Sequence, residues 1–276
     1  MNVIQRLVIG AIACFAAAAS FAADSVAFIS DLKGQVAVDG APRPALLAEV
    51  AKGQKISVGK DSQVALMYIA SGKEFVLKGP GEYVVKDAEV AAQNGAAPVA
   101  RPTAWRPATD VRVQVAQSSA ASVRMRSVAP PKGEAPTAFP AQGAVATLQP
   151  TFRWKGDARA RGDFMLIAAG EEKPLHVAKT LGETYRLPVK LSTQKEYAWS
   201  VAVAGNEVAA GKFRTLSAEK LERIERSRPA PTAEFSDRMM FALLLQEAGA
   251  TQEAREAWAA LSRERADLPE LAAFAR

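Results

Sequence analysis

The hydrophobic period of this chain changes once, at Ser217. Before that residue, apolar side chains recur at every second position: Val36 and Val38, Ile56 and Val58, Val64 with Leu66 and Tyr68 (Ala65, Met67 and Ile69 falling on the other face), and Tyr197 with Trp199, Val201 and Val203. A period of two is that of a strand with one face on a core. After it, Ala254, Ala257, Trp258 and Leu261 follow the i, i+3, i+4, i+7 spacing of one helix face. The fold class expected is therefore mainly β with C-terminal α. A chain of 276 residues with 49% apolar content is long enough for about two cores.

The run Val76 to Val85, VLKGPGEYVV, poses a local question: a phosphate-cradling loop or a turn. A phosphate loop needs a helix after its glycines, so that backbone N–H groups face the anion. Glu82-Tyr-Val-Val85 follows instead, which is strand-like, and Pro80 removes a donor. The run is expected to be a turn. With Gly34-Gln-Val36, Gly53-Gln-Lys-Ile56-Ser-Val-Gly59, Ser62-Gln-Val64-Ala-Leu66 and Phe75 to Tyr83, it resembles a FecR-type domain. That resemblance implies a β module of the bacterial envelope that takes part in protein contacts or signalling. Only Met1 to Arg6 precede the first apolar run, so control of a sigma factor is not implied.

From Asn94 to Pro150 the composition turns to Ala, Pro, Ser and Gly with scattered arginines, as in a linker. Val111, Val113 and Val115 alternate, as do Val123 and Met125, and the two runs suit a hairpin. Beyond it lie Phe152, Trp154, the apolar run Phe164 to Ala168, and the Tyr197 to Val203 alternation. This stretch resembles a fibronectin type III or immunoglobulin-like sandwich. Leu191, six residues before Tyr197, is spaced as in the tyrosine corner of such domains. Trp154 and Trp199 are the expected core aromatics.

In the last third, Ser217 is placed to cap a helix to about Arg226, with Glu219–Arg223 and Glu222–Arg226 as i,i+4 pairs. Pro229 and Pro231 end it, and Gly249 separates two longer helices. Phe241, Ala242, Leu245, Gly249, Ala254 and Trp258 resemble one tetratricopeptide repeat, with Arg238 where that family has its first aromatic. A single such unit cannot bury both its faces. Its spare face is expected to meet the β domain, the Leu268 to Phe274 helix, or another protein. Met239, Met240, Leu244 and Trp258 are the candidate partner-binding residues, with internal packing as their other role.

Expected boundaries are a signal peptide at 1–22, a FecR-like domain at 24–93, and a basic linker at 94–146 with room for a β-hairpin at 110–128. The sandwich is expected at 147–216, and the helical tail at 217–276 with its hairpin at 233–265. The signal is read from the apolar run Leu7 to Ala19, followed by Ser20-Phe21-Ala22. Export to the periplasm follows, with no transmembrane span after cleavage. An uncleaved anchor and lipidation at Cys14 are the rival readings. Cys14 is the only cysteine, so the mature chain has no thiol.

No catalytic set is legible. His176 is the only histidine, which removes multi-histidine metal sites. Glu82, Asp87, Glu89 and Glu196 are candidate carboxylates for a wall-glycan hydrolase, the third choice of function, but nothing pairs them. No cofactor is expected. A formal charge of +6 comes without a recognition helix, and export removes nucleic acid as a partner. The reading is a non-catalytic envelope scaffold or sensor that binds envelope proteins. Its alternative is a binder of cell-wall glycan or another anionic polymer, through the linker arginines, Arg101 among them, and Arg159 or Arg161.

Overall fold

The structure, a computed structural model, describes residues 25–103 and 138–276. The expected signal peptide and the expected hairpin at 110–128 lie outside the described residues. The chain is mainly β, with its α-helices at the C-terminal end.

Residues 25–103 form the first β unit. Its strands are β1 (Ser25–Lys33), β2 (Val36–Val38), β3 (Ala41–Pro42), β4 (Glu49–Ala51), β5 (Lys55–Val58), β6 (Gln63–Tyr68), β7 (Lys73–Lys78), β8 (Gly81–Val85), β9 (Val90–Asn94) and β10 (Val99–Pro102). They make two five-stranded antiparallel sheets, ordered β10-β7-β6-β1-β4 and β3-β2-β5-β8-β9. Ile29, Ile56, Leu66, Tyr68, Leu77 and Tyr83 close the core between them. The alternation of β6 is real, since Val64, Leu66 and Tyr68 face this core. Yet Met67 and Ile69, on the opposite face, are buried as well, in a different cluster. A strand buried on both faces needs cover on both.

The turn in VLKGPGEYVV carries the chain from β7 in one sheet to β8 in the other. It is a corner between layers rather than a hairpin. A Cβ on Gly79 would lie 1.8 Å from the Gly59 carbonyl oxygen, so only glycine allows this approach. The Tyr83 hydroxyl lies 2.5 Å from the Lys78 carbonyl oxygen and 3.1 Å from that of Ala96, which pins the corner.

Residues 138–216 form the second β unit, with β11 (Ala138–Phe139), β12 (Ala144–Val145), β13 (Thr151–Trp154), β14 (Arg161–Ala168), β15 (His176–Leu181), β16 (Thr184–Arg186), β17 (Glu196–Val203) and β18 (Asn206–Thr215). The sheets are β11-β13-β16 and β12-β18-β17-β14-β15, with β12 parallel to β18. The stretch expected as linker thus supplies strands at both ends: β10 to the first unit, β11 and β12 to the second. Phe152 packs on Phe164 and Trp199 at centroid distances of 4.8 and 5.0 Å. The indole N–H of Trp199 donates to the Pro140 carbonyl at 2.7 Å, so its polar edge is satisfied inside the core. The Tyr197 hydroxyl accepts the Ser192 amide at 3.0 Å.

Four helices follow: α1 (Ala218–Arg226), α2 (Phe235–Ala248), α3 (Thr251–Glu264) and α4 (Leu271–Phe274). Ser217 caps α1 by accepting the Lys220 amide. Glu222 pairs with Arg226 at 2.6 Å, whereas Arg223 turns to Glu247 on α2 at 3.0 Å. Gly249 takes φ +90°, where a side chain is strained, and its N–H returns to the end of α2. Only Gly249 and Ala250 separate α2 from α3, which forces an antiparallel hairpin.

Candidate functional site: the helical hairpin and its two seats

The α2–α3 hairpin sits against both β units. One core cluster joins Phe28, Leu46, Leu47, Met67 and Ile69 of the first unit to α2, α3 and α4, and includes Ala144, Ala146 and Leu216 beside the second. This cluster is the cover over the outer face of β6. The middle of α2, Met239 to Leu245, is a continuous apolar run of buried and part-buried residues, while Gln246 and Glu247 at its end are exposed.

The four candidate partner-binding residues are inside that cluster. Met239, Met240, Leu244 and Trp258 are 0%, 5%, 7% and 0% exposed. They present no free surface; their role in this chain is internal packing. Trp258 stacks on Phe274 of α4 at 4.7 Å, and its indole N–H donates to the Gln246 side chain at 3.2 Å. The spare face of the hairpin meets the β units and α4, two of the three neighbours expected for it.

The seat on the first unit is tied by arginines. Arg101 leaves β10 and donates to Glu74 on β7, to Asp237 at 2.8 Å and to Ser236 at 2.6 Å in the first turn of α2. Glu74 is 1% exposed, and its other oxygen accepts the Ser30 hydroxyl at 2.6 Å. Burial alone would lower the Arg101 pKa, but hydrogen bonds to Asp237 and then Glu74 together outweigh it and the net shift is upward, which keeps the guanidinium charged. One linker arginine of the polymer-binding alternative is therefore committed to an internal network. At the same open end of the hairpin, Arg265, just past α3, bonds Asp267, Asp31 and the Leu32 carbonyl, and lies 5.0 Å above the Phe235 ring. Its pKa is raised, first by Asp267 and then by Asp31. Arg238, the residue in place of an aromatic, forks onto Glu264 with two contacts of 2.6 Å and clips α2 to α3.

The seat on the second unit is built from amide and carboxylate groups on α3. Gln252 is buried and bridges two backbone groups, donating to the Ala138 carbonyl at 2.8 Å and accepting the Ala141 amide at 3.0 Å. Glu253 accepts the Ala146 amide at 2.8 Å. Arg153 on β13 pairs with Glu256 at 2.6 Å and lies 4.5 Å above the Phe139 ring. Between Arg153, Trp154, Glu183 and Glu256 opens a shallow cleft of about 330 Å³.

The candidate carboxylates Glu82, Asp87, Glu89 and Glu196 are all exposed, with Glu196 at the start of β17 in the second unit. Asp87 pairs with Lys52 at 2.7 Å, Glu89 with Lys86 at 3.6 Å, and Glu82 bonds Asn94, all at the surface. Burial first, then Glu89 and Asp87, push the Tyr68 hydroxyl up to about 12. The hydroxyl donates toward the Lys86 and Glu89 carbonyls. His176 stacks on Tyr185 with its Nε2 2.5 Å from the hydroxyl, beside Phe164. Among the described residues no group of three or more metal-ligating side chains is gathered, and no helix is long and apolar enough to cross a membrane.

No protein-family model matches the chain, and no curated protein matches it. The residues missed by sequence reasoning are Glu74, Asp237, Arg265 and Gln252. Nothing marks them in the sequence, because the contacts that join them to the β units span long stretches of chain, 136 residues for Arg101 and Asp237 and 234 for Arg265 and Asp31.

Proposed function

We propose that this chain is an exported envelope protein that works as a non-catalytic scaffold or sensor through contacts with other envelope proteins. The observation that carries the reading is the shared core: the hairpin spends its apolar residues holding two sheet-built units together. A chain organised in this way offers sheet faces and edges to partners. The large apolar residues that stay exposed gather on the second unit, among them Met165, Leu175, Val177, Leu181 and Val208. Val177 and Leu181 lie on β15, which ends its sheet and, among the described residues, leaves a strand edge open. The partner that fits is an envelope protein offering an extended apolar segment, paired to β15 by backbone hydrogen bonds.

The family resemblances belong to this proposal. The Tyr197–Ser192 hydrogen bond supports the immunoglobulin-like reading of the second unit, and the Gly79 corner between two small sheets is compatible with the FecR-like reading of the first. The test is crosslinking in intact cells, followed by mass spectrometry, for the natural chain and for a Val177→Glu, Leu181→Glu chain. Both side chains are exposed, so the fold is expected to survive. Loss of one captured envelope protein in the variant is the result expected. Equal capture by both chains overturns the assignment to β15. Salt-sensitive sedimentation with purified wall material, with no protein captured, would move the function to the anionic-polymer alternative.

A further inference from the structure

The two seats differ in how they treat a buried carboxylate. On the first unit, Glu74 and Asp237 share the guanidinium of Arg101, so each carboxylate has a cation on it even though Asp237 Oδ1 is buried without a hydrogen-bond partner among the described residues. On the second, Glu253 stands in the first turn of α3 with one oxygen on the Ala146 amide. Its other oxygen, Oε2, is buried and has no hydrogen-bond partner among the described residues. The charged groups that act on it are Glu256, on its own helix, and Arg153 from β13. Arg153 is already engaged by both oxygens of Glu256, at 2.6 and 2.8 Å. Glu253 is thus a part-buried side chain with one buried, unpaired carboxylate oxygen, and the cation that acts on it is engaged by a neighbour.

We propose that Glu253 makes the seat of the hairpin on the second β unit an acid-tightened joint, which grips more firmly when this carboxylate takes up a proton. A neutral carboxyl costs less to bury than a carboxylate, even with its hydroxyl unpaired. The carbonyl oxygen of the protonated group still accepts the Ala146 N–H, so the contact to the second unit is kept while the charge is removed. Opposing this are the helix N-terminus and the amide itself, both of which favour the anion. Burial outweighs them, and the Glu253 pKa is raised.

The sign follows from proton linkage. A carboxyl with a raised pKa binds more protons folded than unfolded, so its contribution falls as pH rises. The contribution is complete below the unfolded value of about 4.3 and is lost as pH climbs through the raised folded value. The proposal rests on the geometry of the seat and not on the scaffold reading, so either can fail alone.

The experiment is a carboxyl-carbon NMR titration of the full chain labelled at glutamate, with through-bond assignment of Glu253. The midpoint of Glu253 is expected above those of the surface glutamates. Protection of the Ala146 amide, corrected for intrinsic exchange, is expected to rise on acidification through the same midpoint. In parallel, Glu253→Gln keeps an acceptor for Ala146 and removes the charge. Its melting temperature relative to the natural chain is expected to be more favourable at about pH 7.5 than at about pH 4.5. A Glu253 midpoint at or below the ordinary glutamate range overturns the proposal, as does Ala146 protection that ignores that midpoint. The titration needs no variant, so a Glu253→Gln chain that fails to fold leaves it decisive.

Discussion

The hairpin meets the two β units in different ways. Against the first unit it is part of a continuous apolar core, in which Phe28, Met67 and Ile69 touch the same cluster as Met239 and Trp258. Against the second it meets mainly small and polar groups, with Ala144, Ala146, Gln252 and Glu253 at the contact. The second unit already has a closed aromatic core of its own around Phe152, Phe164 and Trp199. The first unit depends on the hairpin to cover one face of a sheet; the second lends it a docking edge. Apolar area sets the strength of the first seat, and hydrogen-bond geometry sets the selectivity of the second.

The largest effect is expected from Trp258→Ala. It empties the centre of the shared cluster and should cost about 3–5 kcal/mol in denaturant unfolding. A loss below about 1 kcal/mol would break the comparison at its root, because it would make the cluster dispensable.

Next is Arg101→Met, which leaves Glu74 and Asp237 at the first seat without their cation. Removing one partner of a buried pair costs about 3–5 kcal/mol, and the lower end is expected here because the Arg101 side chain is 25% exposed. The matched change at the second seat, Arg153→Met, acts on a side chain that is 46% exposed. It should cost less than about 1 kcal/mol. Equal losses in the two variants, measured by the same unfolding curve, would erase the difference between the seats.

Gly249→Ala should cost about 1 kcal/mol, well below Trp258→Ala and Arg101→Met, since φ +90° strains any side chain at the α2–α3 turn. The unfolding midpoint is again the readout. An unchanged midpoint would mean that the turn relaxes without disturbing either seat.

The class of the fold was legible because two periods are legible. Period two placed Tyr197, Trp199 and Val201 on one face, and all three are buried in the second unit. Ser217 and Gly249 marked helix ends through chemistry local to the chain. The second face of β6 was also written in the sequence. Val64 to Ile69 is an unbroken apolar run, and such a run signals burial on both sides. Reading only its alternation hid the need for a cover. The candidate site suffered the converse error. Met239, Met240 and Leu244 look like a surface to spare when the hairpin is considered by itself, but the faces that absorb them lie on strands roughly 170 to 215 positions earlier. The arginine network was not legible at all, since Arg101 reads as one more basic residue of a linker until the fold brings Asp237 to it.

The most direct test of the shared core is hydrogen exchange on the full chain beside a chain ending at Leu216. The expected result is that β1 and β6 amides lose protection in the shortened chain, while β14 and β17 keep theirs. Protected β1 and β6 amides without the helices would contradict the account, because the first unit would then need no cover from the hairpin.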